Sequence, residues 1–289
     1  MTEVQFNEHV HLLLIGLILS FVAFWVASRR DFFTYPNQFS APMIHLTEVL
    51  GAFAVFIGIS LVFMPLLGIG YLLSIGKDAS SSSEPHFQGW FNATTIIASA
   101  AGIYIYFKSL PVKTQMAVMR KTFSEGFYKR LQDFLMGSYA WLISFPTVIV
   151  IGQLVSLMIL SKFPDSHIDQ VAVKFLKSTM QYPFLFTLTA FLLVAVVPAI
   201  EEFLFRGFLQ TWLKQYFNVN IAIIVTSLIF SSFHFSYSQG LSNIELLTSL
   251  FVLSCFLGFL YERQQSILAS IGLHSTFNLI SVIFLLSES

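Results

Sequence analysis

The chain has 289 residues, of which 56% are hydrophobic and 10% charged, and its formal net charge is zero. An ordinary soluble protein carries roughly 25% charged residues, so there is too little polar surface here to cover a water-soluble globule of this size. Zero net charge gives no pull toward nucleic acid, and the single cysteine, Cys255, excludes an intrachain disulfide framework and a cysteine-rich metal site.

The apolar residues come in blocks of about membrane-spanning length, each needing about 20 residues to cross the hydrocarbon core. They predict an all-α, polytopic transmembrane helical bundle of about eight spans, at about 10–28, 46–75, 93–107, 138–160, 183–205, 219–236, 246–262 and 266–286. Glu3, Glu8, His9 and His11 precede the first block, and no small-residue cleavage pattern follows it, so a retained span is expected rather than a signal peptide. The second block is long enough to tilt or kink, and the third is short. Glu48, near the start of the second span, reads as an interfacial or capping group. The connector Lys77–Asn92, with Ser80–Ser83 and Pro85, reads as an exposed loop.

The basic stretch 108–134 interleaves its charges with Met116, Val118, Met119, Phe123, Phe127 and Leu131, the pattern of an interfacial amphipathic helix on an anionic leaflet. Residues 1–180 form an N-terminal membrane-spanning region on this reading, and 181–289 a catalytic helical core. With the N-terminus outside, eleven of the fifteen Lys and Arg residues fall on the inner side and four outside, as the positive-inside rule requires. The expected location is the cell (inner) membrane, with the bilayer and a membrane-associated protein or peptide as partners and no nucleic acid.

An ionisable group inside a span costs about 2.5–3.5 kcal/mol even on the lenient insertion scale, which makes it a functional candidate. The fifth span runs uncharged from Phe184 to Ile200 and then reads Glu201-Glu202-Phe203-Leu204-Phe205-Arg206. Glu202 and Arg206 stand one turn apart with the acid N-terminal, the favoured order for a helical ion pair. Glu202 is therefore assigned to holding Arg206, and Glu201 is left for chemistry. Pro198 removes a backbone hydrogen bond just upstream, which predicts a kink near Glu201.

The sixth span carries Phe230-Ser231-Ser232-Phe233-His234. At the head of the seventh, Glu245 complements the helix dipole. The eighth carries His274-Ser275-Thr276-Phe277-Asn278, with His274 and Asn278 on one face together with Ser270 and Ser281. If the fifth helix continues to Tyr216 and turns near Asn218, Glu201 and His234 both lie roughly 25 Å from that turn. His274 lies roughly 15 Å from the turn near Gln264 on the same side. Three helices thus bring polar groups to one layer.

A carboxylate beside a histidine activates water as a general base, and a His–Asn pair one turn apart offers two donors to an oxyanion. No serine, cysteine or threonine pairs with a base, which speaks against a covalent nucleophile. Glu201, His234 and His274 are also a ligand set that a divalent metal such as zinc accepts, although the helical His-Glu-x-x-His arrangement is absent; no cofactor is required by the sequence.

Glu201-Glu202-x-x-x-Arg206, Phe230-x-x-x-His234 and His274-x-x-x-Asn278 resemble the three successive motifs of the type II CAAX prenyl endopeptidase and bacteriocin-processing (CPBP, or Abi) intramembrane peptidases. The resemblance covers about residues 180–286. It implies that Glu201 and His234 activate water and that His274 and Asn278 stabilise the oxyanion. The family has been described both as metal-dependent and as metal-free glutamate peptidases. The reading from another class is a non-enzymatic membrane protein, a proton-coupled transporter or a bacteriocin-immunity factor. A transporter is expected to show repeated halves, whereas the ionisable cluster here lies entirely in the second half.

Overall fold

The computed structural model describes residues 3–35, 43–77, 84–163 and 170–287. These residues form ten helices and no β-strand: α1 (Glu3–Arg29), α2 (Leu46–Ser74), α3 (Pro85–Ser109), α4 (Val112–Met119), α5 (Phe127–Leu160), α6 (Val171–Thr179), α7 (Pro183–Leu213), α8 (Val219–Ser232), α9 (Ser242–Gln264) and α10 (Ile267–Ser287). Among them α1, α2, α5, α7, α9 and α10 are long and apolar enough to cross a membrane. The remaining two expected spans are α3, whose ends carry polar residues, and the 14-residue α8.

Large apolar side chains stand on the outside of these helices, with Phe21 74%, Leu61 70% and Leu66 64% exposed. A soluble monomer does not carry a contiguous apolar surface of this extent. In a bilayer it is the solvated face, and every backbone group behind it is paired within its own helix. The chain is an integral membrane protein.

Two apolar cores hold the bundle. One gathers Ile103 and Phe107 of α3, Val118 of α4, Leu204 and Phe208 of α7, and Phe230 of α8. The other gathers Ala140 of α5, Leu257 and Leu260 of α9, and Leu273 of α10. The central α5, from the N-terminal region, lies against α1, α9 and α10, so the two regions read from the sequence share one packed body. Its approach to α10 depends on two glycines. A Cβ on Gly137 would overlap the Ala269 carbonyl oxygen, and one on Gly272 would overlap that of Phe134. Small residues at such crossings let helix backbones touch, the main source of packing energy in lipid.

Helix directions follow the expected alternation. His9 pairs with Gln153 and Gly16 meets Val150, so α1 and α5 run antiparallel. Arg206 meets Ser254, Gln210 meets Gly258 and Lys214 meets Glu262, so α7 and α9, the fifth and seventh expected spans, run parallel.

Three expectations are corrected. The connector 77–92 is not all loop: α3 begins at Pro85, with proline in its first turn, where a missing N–H costs nothing. Ser80–Ser83 lie outside the described residues. The stretch 108–134 is not one amphipathic helix but α4, a short 3-10 turn and the start of α5, with Thr114, Val118, Arg120 and Thr122 buried. Its fold is decided by a partner that the local pattern does not show. Arg120 makes a two-pronged pair with Glu262, at 3.0 and 2.8 Å, and lies 3.7 Å over the Tyr261 ring. Burial alone would lower the Arg120 pKa, but Tyr261 and Glu262 outweigh it and hold the guanidinium above its ordinary value. Finally, α8 ends at Ser232, so His234 stands in the turn beyond it rather than on the sixth span.

Glu48 acts as the capping group expected of it. Its carboxylate accepts from the His45 backbone N–H at 2.8 Å and from the Thr114 hydroxyl at 2.7 Å. Glu245 lies in the first turn of α9.

Candidate active site

The second half of α7 carries the charged residues of the site, and its backbone is irregular on both sides of them. Residues Leu192–Val196 and Phe203–Gln210 are π-helical, flanking Val197–Glu202. Single π turns inside α-helices collect at functional sites, and here Pro198 accounts for part of the irregularity. Val197 N–H bonds to Leu192 O, five residues back. Continuing that register would aim the N–H of residue 198 at Leu193 O, and proline has none. The open carbonyl is taken by α10, whose Asn278 Nδ2 donates to Leu193 O at 2.8 Å.

Glu202 and Arg206 are both fully buried, and Arg206 Nη1 donates to Glu202 Oε1 at 2.9 Å. The other guanidinium nitrogen donates to the Ser254 hydroxyl at 2.6 Å and the Ser254 carbonyl at 3.0 Å, and the guanidinium lies 4.8 Å from the Phe230 ring centroid. Burial of two charges is costly unless they are paired and further hydrogen-bonded. This pair has both conditions, in agreement with the structural role expected for it. The sequence reading missed Ser254. Its signal was the four-residue spacing of Ser254, Gly258 and Glu262 on α9, which matches that of Arg206, Gln210 and Lys214 on α7.

Glu202 has a second partner that i, i+4 logic did not reveal. His274, 4% exposed, places Nδ1 at 2.9 Å from the same Glu202 Oε1. A carboxylate accepts only, so His274 Nδ1 carries a proton and its Nε2 is turned to the other side. That side is Glu201, whose Oε2 lies 3.6 Å from His274 Nε2. Glu202 therefore orients a histidine on the ring nitrogen away from the chemistry.

His234 is fixed in a comparable way. Its Nδ1 is 3.0 Å from the carbonyl of Phe230, one of the last carbonyls of α8, which has no helical partner of its own. The carbonyl accepts, so Nδ1 donates, and the Nε2 of the neutral ring is an acceptor. It lies 3.8 Å from Glu201 Oε1. The Phe230 ring supports both histidines, with centroids 4.8 Å from His234 and 6.0 Å from His274.

The structure thus brings Glu201, Glu202, Arg206, His234 and His274 together. Asn278 reaches the same layer, but its described hydrogen bond goes to the α7 backbone. Among the described residues, no group of three or more His, Cys, Asp or Glu side chains is arranged to hold a metal ion. Cys255 is partly buried and free.

Glu201 is less buried than Glu202, with 18% of its side chain exposed, and His234 is the most open of the set at 29%. A cavity of about 140 Å³ reaches Glu201 from α2 and α3. A larger apolar one of about 360 Å³ passes Ala199 and Ile200 between α3, α4, α7 and α10.

No curated protein and no solved structure matches the chain. Residues 183–280, from the start of α7 to within α10 and containing every charged member of the cluster, match the type II CAAX prenyl endopeptidase Rce1-like family, so this membrane protein carries an Rce1-like domain.

Proposed function

We propose that the protein is an intramembrane endopeptidase in which Glu201 and His234 activate a water molecule against a peptide bond. The observation that carries this reading is the 3.8 Å gap between two acceptors, Glu201 Oε1 and His234 Nε2. That distance is too long for a direct hydrogen bond and suits a water that donates one O–H to each. A water so held points its lone pairs away from both acceptors, toward an incoming carbonyl carbon.

In the proposed reaction, Glu201 takes a proton from the water as the oxygen attacks the carbonyl carbon, and the C=O electron pair moves onto the carbonyl oxygen. The oxyanion then collapses, the C–N bond breaks, and the proton on Glu201 passes to the leaving nitrogen. His274 is the donor nearest this oxygen, acting through Nε2 in its protonated form while Glu202 keeps Nδ1. Charge balance favours that form: Glu201, Glu202 and Arg206 sum to one negative charge, and one proton more makes the buried cluster neutral. The second N–H of the Asn278 amide is available alongside it.

The Rce1-like match supports a CAAX-type intramembrane protease in general. On this reading the substrate is a membrane-associated protein or peptide, CAAX-type C-terminal processing is the first activity to try, and the cell (inner) membrane is the location. Incubation of the purified protein with prenylated and unprenylated CAAX peptides, with and without chelator, tests it. Cleavage that survives chelation is expected, and its loss on chelation with recovery on added zinc would assign Glu201, His234 and His274 to a metal instead. Glu201→Gln and His234→Ala are each expected to lower turnover by about 100-fold or more at unchanged yield. Wild-type turnover in either removes that residue from the mechanism.

A further inference from the structure

The cavity beside Glu201 is walled on one side by helices outside the matched domain. Its polar lining is Ser60 of α2, Thr95 and Ser99 of α3, and Glu201 of α7. Ser60 and Thr95 each donate to a backbone carbonyl one turn back, at 2.7 Å, which leaves their oxygens free to accept. Ser99 differs: it is 1% exposed, and its hydroxyl has no protein partner. Glu201 Oε2 is likewise buried with no hydrogen-bond partner. Two unsatisfied polar atoms on one small cavity are costly when dry, by about 1–3 kcal/mol each.

The cavity, about 140 Å³, is well above the roughly 10–15 Å³ that a single water needs, and its polar groups are enough to give such a water its two to four partners. Its α2 wall is also built irregularly. Ser60 sits in a π-helical stretch, Gly58–Phe63, the sole interruption in α2, and α3 presses on it where Gly102 faces Ile59.

From this we infer that α2 and α3 supply a buried water store for the active site, with Ser99 holding water against Glu201 Oε2 and Ser60 and Thr95 completing its hydrogen bonds. The side of Glu201 facing His234 is then where water reacts, and the side facing Ser99 is where its replacement waits. The inference rests on the proposed hydrolysis for its purpose, but the hydration of the cavity stands or falls by itself. It gives the N-terminal helices a part in a site whose charged members all lie in the Rce1-like domain.

The test is X-ray radiolytic footprinting of the full-length protein in lipid nanodiscs and oxygen-18 water, read by mass spectrometry. Phe56 and Ile96, which line the cavity, are expected to take up label about fivefold or more faster than lipid-facing Leu61. In the double variant Ser99→Val, Thr95→Val their labelling should fall to the Leu61 rate. Labelling of Phe56 and Ile96 at the Leu61 rate in the wild type, or undiminished labelling in the double variant, overturns the water store. The second arm uses any peptide the wild type cleaves: Ser99→Ala should lower kcat about tenfold at unchanged KM, and Ser99→Thr, which restores the hydroxyl, should recover most of it. Wild-type kcat in Ser99→Ala would mean that the stored water does not feed the reaction, which also overturns the inference. A wild type that cleaves no peptide counts against the proposed hydrolysis alone, because the footprinting still decides the cavity.

Discussion

Arg206 and Asn278 show how side chains in this site are committed to the scaffold before any substrate arrives. Arg206 spends its donors on Glu202 and on both oxygens of Ser254, so removing it strands a fully buried carboxylate. Arg206→Ala is expected to destabilise the protein by about 3–5 kcal/mol, seen as reduced yield and a lower Tm in detergent. A variant that is inactive yet as stable as the wild type would instead place Arg206 on the substrate. Asn278 was expected from the family resemblance to face the oxyanion, and its described bond is to Leu193 O, the carbonyl that Pro198 leaves open. Asn278→Ala should then cost about 1–3 kcal/mol through that unsatisfied carbonyl. Adding Pro198→Ala, which restores an N–H at residue 198, should recover stability without recovering lost activity. Equal stability of the wild type and Asn278→Ala would release Asn278 from the scaffold role.

Helices in this bundle are placed by close contacts that propensity does not encode. α10 carries His274, and its height against α7 depends on Gly272 lying on the α5 backbone. Gly272→Leu should push α10 away from α5, lower Tm, and abolish activity by separating His274 from Glu202. An active, fully stable Gly272→Leu variant would show that α5 does not position the histidine. The short α4 is placed in the same manner, by Arg120 on Glu262 and by Tyr261, whose hydroxyl donates to the Val118 carbonyl at 3.1 Å. The interleaved charges of 108–134 suggested a helix lying on the leaflet because a buried cation and a surface cation look alike until their partner is known. Lys214 joins the same carboxylate at 2.6 Å, and burial draws its pKa below the ordinary value even though Glu262 opposes this.

For the molecule as a whole, the antiparallel α1 and α5 and the parallel α7 and α9 accord with eight crossings and the N-terminus outside. The topology then puts the turn between α7 and α8 on the cytoplasmic side, together with the Arg120–Glu262–Lys214 cluster. In a Cys255→Ser background, a cysteine at Asn218 should react with an impermeant thiol reagent only from the cytoplasmic face, and one at Lys162 only from outside. Both positions are exposed. Labelling of Asn218 from outside the cell would invert the topology and turn the active site to the other face.

Composition and the length of the apolar blocks by themselves determined that this is a helical membrane protein, because lipid tolerates so few charges that those remaining stand out. The same scarcity made Glu201, Glu202, Arg206, His234 and His274 legible as one group, and helix rise alone placed them at similar depth. Tertiary structure decided what each faces. That Glu202 serves both Arg206 and His274, that His234 caps the end of α8, and that Asn278 meets a proline-vacated carbonyl are contacts between residues tens of positions apart. A hydrophobic block shows only that a segment crosses the bilayer. Its rotation about its own axis is set by small residues and hydrogen bonds on neighbouring helices, and that rotation decides which of two adjacent glutamates is buried on an arginine and which is left open to water.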